Sequence, residues 1–313
     1  MVVTLDPTGE AERRKYRRRR RLREEFVGTA MASGPFIGYC LFSLVPMLIS
    51  LYISFTELHG FNIFDAEWLG FDNYVHVLKS EMLYTSIVNT LLFCLSVPIN
   101  MVVSLFLANM LNKPVAGTRF VRTVLFIPTV CSSVAVTLVW QWILDPKYGV
   151  INTVLQAMGL PAIGFTSTAE WFIPSVLLIC LWQRGTNIVL MQSALSNVDN
   201  TLKEAARIDG ATDMRVFYSV VLPGITPTLF YVLIVQMTAA LQEIGMLQII
   251  SQNGIGPGYR AVTLSYYMYR MAFVNYGSEG MGMSCSLSWI VAVVIIILTR
   301  LNFVLSKKWV SYD

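Results

Sequence analysis

Two groups of polar side chains interrupt long apolar stretches of this 313-residue chain and could bind a hydroxyl-rich solute. Amide and carboxylate groups exchange hydrogen bonds with hydroxyls, and an aromatic ring offers an apolar face to a sugar ring. Because polar groups are costly at membrane depth, those that persist usually face a cavity or each other. The first group, within residues 171–195, is Trp182, Gln183, Arg184 and Asn187, and the second is Thr238, Gln242 and Glu243.

Helical spacing indicates which of these side chains act together. Thr238, Gln242 and Gly245 follow i, i+4, i+7 spacing and therefore share one helical face, with Glu243 beside them. We expect Gln242, Thr238 and Gln183 to make the main contacts with a neutral sugar.

A charged segment between the fourth and fifth apolar runs has the character of a docking surface. Its pattern is Glu204-Ala205-Ala206, three residues, Gly210, nine residues, the β-branched Val220, one residue and Leu222-Pro223. Residues 199–218 are mostly helix formers, and Asp199 or Asn200 can cap the first helix. Gly210 permits a positive φ, so we expect two short helices that meet at a bend, with Leu222-Pro223 starting the fifth span.

The charge of this segment argues against a helix that merely lies on the membrane surface. Glu204, Asp209 and Asp213 are acidic, whereas an anionic membrane surface favours a basic face. Small residues such as Ala205 and Ala206 allow another protein surface to approach closely. The segment is therefore predicted to dock on a partner.

Composition places these residues in a membrane protein. The hydrophobic fraction is 55%, the charged fraction is 13%, and the mean hydropathy is +0.59. Because about 20 apolar residues cross the hydrocarbon as a helix, the sequence predicts an all-α polytopic protein with six transmembrane helices. The predicted runs are 27–56, 82–112, 123–144, 171–195 (interrupted by Arg184), 222–242 and 280–299, with a tight turn at Lys113-Pro114.

The distribution of basic residues orients the chain. Of the 23 Lys and Arg residues, 18 fall before the first run, in the second and fourth connections or after the last run. This bias predicts that both termini and the loop of residues 196–221 are cytoplasmic. The predicted organisation is a basic N-terminal segment (1–26), a six-helix transmembrane domain (27–305) and a C-terminal tail (306–313).

Catalytic chemistry is not predicted for this chain. No GxxxxGK[ST] phosphate loop occurs, so ATP would have to be bound by a partner. The cysteines show no metal-ligand spacing, and His59 and His76 are too isolated to form a metal site.

Several motifs together resemble the sugar-permease branch of the ATP-binding-cassette (ABC) importers, the binding-protein-dependent maltose and glycerol-3-phosphate type. The resemblance covers nearly the whole chain. Besides the Glu204 to Pro223 pattern, it rests on Arg207-Ile208-Asp209-Gly210-Ala211, Phe126-Ile127-Pro128, Gly256-Pro257, Thr263-Leu264-Ser265-Tyr266-Tyr267 and Tyr269-Arg270.

The resemblance implies a type I importer permease core with a cytoplasmic EAA coupling helix. The coupling residues it implies are Glu204, Ala205, Ala206, Asp209, Gly210, Leu222 and Pro223. It further implies a second homologous permease subunit, two copies of a cytoplasmic ATP-binding subunit that hold ATP and Mg²⁺, and an extracytoplasmic solute-binding protein. No cofactor is expected in this chain, and the location implied is a bacterial or archaeal cytoplasmic membrane.

Other interpretations of the same residues stay open. Arg184 and Glu243 could form an ion pair that only locks two helices, and Trp182 could be packing. Arg184 could instead anchor an anionic solute such as glycerol-3-phosphate or an acidic polysaccharide fragment. In an ion-coupled secondary carrier, Arg184 and Glu243 would form a proton or ion relay, and uptake would depend on an ion gradient. A receptor without transport leaves the spacing of residues 204–223 unexplained.

Overall fold

The computed structural model describes residues 7–58, 60, 62–112, 117–275 and 280–311, with side chains from residue 20 onward. Two short antiparallel strands, β1 (Thr56–Glu57) and β2 (Glu67–Trp68), lie among the helices. The α-helices are α1 (Pro7–Tyr39), α2 (Val45–Ile53), α3 (Asp72–Lys79), α4 (Glu81–Cys94), α5 (Ser96–Leu111), α6 (Thr118–Val130), α7 (Ser133–Ile143), α8 (Val150–Ala157), α9 (Ala169–Trp182), α10 (Gly185–Asn197), α11 (Asn200–Ile208), α12 (Asp213–Val216), α13 (Leu222–Gly224), α14 (Thr226–Leu241), α15 (Gly245–Ile250), α16 (Leu264–Phe273) and α17 (Gly280–Ser306).

Three of the predicted runs form helices that are each long and apolar enough to cross a membrane. Within the described residues these are Arg20–Ile53, Glu81–Leu111 and Gly280–Ser306. The first joins α1 to α2 through a π-helical turn at Cys40–Leu44, and the second joins α4 to α5. These helices cover the runs predicted at 27–56, 82–112 and 280–299.

The other three runs are broken helices. α6 and α7 meet at 105°, α9 and α10 at 53°, and the helix Asp213–Gly224 meets α14 at 64°. The described chain thus has three membrane-length helices, or up to six spans if each bent pair is one span. The bends were not predicted from the apolar runs, because apolar composition alone does not determine backbone dihedral angles.

Local residues account for two of the bends. α6 contains Pro128, which lacks a backbone donor, and Cys131 and Ser132 then adopt extended dihedral angles between α6 and α7. In the fifth run, Leu222-Pro223 was expected to begin the span, but Asp213–Gly224 forms one helix with a π-helical stretch at Phe217–Val221. The long helix begins only at Thr226, with Pro227 in its first turn, where a missing N–H costs nothing.

The first membrane-length helix is peripheral, whereas α5 is central. Only 6% of the Arg20–Ile53 window is buried inside the chain. α1 runs through residue 26 without interruption, so the basic N-terminal segment continues directly into the first span. α5 packs against α9, α10 and α14, and it therefore holds two of the broken helices in place.

The connections are partly structured. The segment after α7 contains α8. Its turn is closed by Asp145, whose carboxylate accepts hydrogen bonds from the backbone N–H groups of Tyr148 and Lys147, which lower its pKa. The predicted turn at Lys113-Pro114 lies outside the described residues, as does His59. α17 ends at Ser306, where the predicted C-terminal tail begins.

Candidate functional site: two helix breaks and a bent loop

The polar group of the fourth run lies at the break between α9 and α10. Gln183 (φ −91°, ψ 34°) and Arg184 (φ −108°, ψ 16°) both depart from α-helical geometry. A broken helix leaves carbonyl groups without helical donors, and Arg184 Nε donates to the Cys180 carbonyl at 2.8 Å. Irregular backbone at membrane depth is tolerated where it is buried in protein or lines a water-filled cavity.

Gly185 allows this break to pack against α6. A Cβ at residue 185 would lie 2.6 Å from the Leu125 carbonyl oxygen, 2.9 Å from Phe126 Cα and 3.0 Å from Thr129 Cγ2. Only glycine fits this contact without displacement of the backbone. The start of α10 therefore packs directly on α6, the first half of the bent third run.

Gln236 of α14 joins the break to the fifth run. Its Oε1 accepts a hydrogen bond from Arg184 Nη1, and its Nε2 donates to Asn187 Oδ1 at 3.1 Å. Asn187 is buried, and Arg184 and Gln236 are half-buried. One amide side chain thereby connects both helices that flank the 196–221 loop.

The ion pair considered between Arg184 and Glu243 is not formed in the described part of the chain. The ion pairs found there join Arg20 to Glu24, Arg21 to Glu25 and Arg207 to Asp213. Glu243 instead accepts a hydrogen bond from the Met246 backbone N–H at 2.8 Å, which caps α15. Among the described residues, the hydrogen-bond partners of Arg184 are the neutral Cys180 carbonyl and Gln236.

A second break separates α14 from α15, and the remaining predicted residues lie at or near it. Gln242 is exposed and ends α14 with non-helical dihedral angles, and Glu243 follows it. Thr238 is half-buried one turn earlier and donates to the Ile234 carbonyl at 2.9 Å. Cys180 and Leu241 belong to one buried apolar cluster that also contains residues of α15.

Trp182 offers an aromatic surface beside the first break. Its side chain is 53% exposed, and its ring meets that of Trp140 edge to face, with centroids 5.7 Å apart. Trp140 is on α7, so an aromatic pair spans the third and fourth runs. About half of the Trp182 side chain is thus left outside the packing of the chain.

The loop between α10 and α14, here called the elbow (residues 199–224), has the predicted bend. Asp199 caps α11 by accepting from the Thr201 N–H at 2.8 Å, which lowers the pKa of its carboxyl. Gly210 has φ +84°, and α12 starts after it with Thr212 as its cap. Arg207 and Asp213 pair at 3.1 Å across the bend.

The elbow presents its predicted coupling residues in two ways. Glu204, Ala205, Asp209 and Gly210 are exposed, whereas Ala206, Leu222 and Pro223 are half-buried. Ala206 and Leu222 pack against a buried cluster built from α5, α10 and α14. The elbow is therefore connected by direct packing to α10 and α14, the helices next to the two breaks.

Comparison with known families identifies the chain. Residues 100–310 match the family described as "Binding-protein-dependent transport system inner membrane component". The chain belongs to this family. The match includes both helix breaks and the whole elbow, so these features are part of a transport component of the inner membrane.

Relatives of this inner membrane component include named permeases. It is 30% identical to the sn-glycerol-3-phosphate transport system permease protein UgpA of Yersinia pestis, over 87% of this chain and 91% of that protein. It is 28% identical to the diacetylchitobiose uptake system permease protein NgcF of Streptomyces coelicolor, over 87% of this chain and 80% of that protein.

A solved structure has the same fold. One chain of a bacterial ABC transporter involved in the import of the acidic polysaccharide alginate superposes with a TM-score of 0.79 at 25% identity, over 93% of this chain and 99% of that chain. The predicted family is therefore confirmed, and the inner membrane component is a multi-pass helical protein.

The structure of this inner membrane component adds Gln236 and Trp140 to the predicted site residues. A signal for Gln236 exists in the sequence, since it is the one Asn or Gln between Leu222 and Leu241. The i, i+4, i+7 pattern of Thr238 does not include Gln236, because residues two apart lie on nearly opposite sides of a helix. Trp140 has no such signal, because its position beside Trp182 depends on the bends of two helices.

Proposed function

We propose that this chain is the permease subunit of an ABC importer for a carbohydrate. Its six spans would form half of a translocation pathway, with both termini and the elbow in the cytoplasm. The observation that carries this proposal is that helix breaks interrupt the fourth run at Gln183 and Arg184 and the fifth run at Gln242, and that Gln236 joins the two runs by hydrogen bonds. Family membership supports the same assignment.

The solute would be recognised by hydrogen bonds and an aromatic face. Gln183, Gln242 and Thr238 offer amide and hydroxyl groups, and Trp182 offers a half-exposed ring. This chemistry suits the hydroxyl-bearing solutes for which the relatives are named, glycerol-3-phosphate and diacetylchitobiose. An oligosaccharide or related sugar is therefore the proposed substrate class.

One observation favours a second candidate, an anionic carbohydrate. Arg184 has no carboxylate partner among the described residues, and its hydrogen bonds go to the Cys180 carbonyl and Gln236. An uncompensated cation at membrane depth is costly unless it faces water or an anion. A glycerol-3-phosphate or an acidic polysaccharide fragment would supply that anion.

Energy would come from partner subunits. We infer that the exposed tip of the elbow, with Glu204, Asp209 and Gly210, docks on a cytoplasmic ATPase subunit that binds ATP and Mg²⁺. Two ATPase copies and a second homologous permease complete the pathway, and a solute-binding protein delivers the solute from outside. Closure of the ATPase pair would move the elbows, which pack on the helices that carry the breaks, and so alternate the pathway between its two openings.

Uptake by the assembled transporter tests this function. Gln183→Leu removes an amide at the first break, and loss of one hydrogen bond worth about 0.5–1.5 kcal/mol should raise the KM for uptake roughly 2–10-fold. The matched control is Gln156→Leu, an exposed glutamine on α8. Equal KM values for Gln183→Leu and wild type would contradict a solute contact at this break.

Competition between solutes separates the two candidates. Unlabelled neutral oligosaccharide should compete with uptake if hydrogen bonding dominates, whereas an acidic oligosaccharide or glycerol-3-phosphate should compete if Arg184 anchors an anion. In the second case Arg184→Gln abolishes competition by the anion and spares competition by a neutral sugar. Uptake that collapses with the ion gradient while ATP is maintained would contradict an ABC importer.

A further inference from the structure

A cavity of about 650 Å³ separates α5 from the elbow. Its apolar lining includes Val102, Leu105 and Phe106 of α5 and Phe217 of the elbow, and its charged lining residues are Lys203, Arg207 and Asp213. Apolar lining residues beside two cations and one carboxylate match an amphiphile with a negatively charged head.

The length of the cavity matches an acyl chain. Asn112, just after the end of α5, lines the cavity near the elbow, and Val102 lines it deeper. Ten residues of α-helix separate them, which is roughly 15 Å at about 1.5 Å per residue. That distance is about half the thickness of the hydrocarbon core, or one membrane leaflet. Val102 and Phe106 are 69% and 63% exposed, so the wall is open to an occupant.

Both cations are available to a phosphate group. Among the described residues, Lys203 Nζ donates to the neutral Asn200 Oδ1 at 3.1 Å, and the carboxylate of Asp199 also attracts its charge. Arg207 pairs with Asp213 at 3.1 Å, but the two side chains are 60% and 87% exposed. Exposed ion pairs contribute little, so either cation can turn to a stronger anion at small cost.

We propose that this cavity binds one anionic phospholipid of the cytoplasmic leaflet. Its phosphate contacts Lys203 and Arg207, and one acyl chain lies along Val102 and Phe106. Basic pockets between helices on the cytoplasmic side are known places for anionic headgroups. The lipid would fill the cavity beside the direct packing of α5 and the elbow. The leaflet follows from the proposed cytoplasmic position of the elbow, whereas the binding itself does not depend on it.

Native mass spectrometry of the assembled transporter in detergent tests the site. Phosphatidylglycerol and phosphatidylcholine of equal chain length are titrated separately. Each cation near an anionic head contributes about fivefold in affinity, so the double variant Lys203→Gln/Arg207→Gln should bind phosphatidylglycerol about thirtyfold more weakly. The matched control is Arg122→Gln/Lys308→Gln, two exposed cations that do not line the cavity. It should bind like wild type.

A second variant tests the acyl part independently of charge. Val102→Trp fills the apolar end and keeps both cations, and it should weaken phosphatidylglycerol binding about tenfold or more. Because Val102 is exposed, this variant folds even if the double variant does not.

Four results would overturn the proposal. These are equal affinity for the two lipids, equal loss in the control and in the double variant, unchanged binding by Val102→Trp, and displacement of phosphatidylglycerol by inorganic phosphate at similar concentration. An ATPase or permease partner that covers the cavity would abolish the selectivity and give the first result. None of these outcomes bears on sugar uptake, so the proposed function is tested separately.

Discussion

Replacing Gly185 by alanine tests whether the break in the fourth run depends on close packing against α6. The added Cβ would meet the Leu125 carbonyl oxygen at 2.6 Å and Phe126 Cα at 2.9 Å, both backbone atoms that cannot rotate away. Ordinary contact begins near 3.4 Å, so α6 and α10 must separate by about 0.8 Å. Overpacking of this kind costs about 1–3 kcal/mol.

The assay is chemical unfolding of the purified permease in detergent, followed by uptake in the assembled transporter. Gly185→Ala should lower the free energy of unfolding by about 1–3 kcal/mol and reduce uptake, since the shifted helix carries Gln183 and Arg184. Gly34→Ala is the matched control, because no heavy atom lies within 4 Å of its added Cβ. If both variants have the stability of wild type, the inference that the break packs closely against α6 is contradicted.

Three further predictions concern the other parts of the site. Gln236→Leu removes the hydrogen bonds to Arg184 and Asn187 and should lower the free energy of unfolding by about 1–3 kcal/mol. The control Gln156→Leu should leave that free energy unchanged, and equal stability of the two variants would contradict the role of Gln236. Gly210→Val forces a β-branched residue into φ +84° and should weaken ATPase co-purification, whereas Gly210→Asn, which tolerates that region, should retain it. The pKa of Asp199 is lower in the folded chain than in the unfolded chain, so its cap stabilises α11 fully at pH values above the unfolded-state pKa. This stabilisation is lost as the pH falls through the folded-state pKa. The protection of the α11 amides, measured relative to their intrinsic exchange rate at each pH, should therefore fall in acid for wild type but not for Asp199→Asn, and identical pH profiles would refute the cap.

The sequence was sufficient where local residue types determine the backbone. A cap at Asp199 or Asn200 and a bend at Gly210 were both predicted, and the structure shows the cap at Asp199 and a positive φ at Gly210. The predicted apolar runs coincide with the membrane-length helices and with the bent pairs.

The break between α9 and α10 could not be located from the sequence, because its causes lie in other segments. The break at Gln183 and Arg184 requires the contact of Gly185 with α6 and the hydrogen bond of Arg184 with Gln236, which are distant along the chain. The ion pair of Arg184 with Glu243, an alternative that the sequence leaves open, is not formed among the described residues. Glu243 accepts a hydrogen bond from the first turn of α15 instead. The roles of the polar residues in solute binding stay predictions.

The most direct test of the account is the location and partner of the elbow. Ile208 is 86% exposed at the end of α11, so an Ile208→Cys variant in a background without the five native cysteines gives one accessible thiol on the elbow. A membrane-impermeant maleimide should label this thiol only in inside-out vesicles, and a bifunctional reagent should cross-link it to the ATPase subunit. Labelling from the outer side, or a cross-link that never includes a nucleotide-hydrolysing subunit, would contradict the coupling role of the elbow.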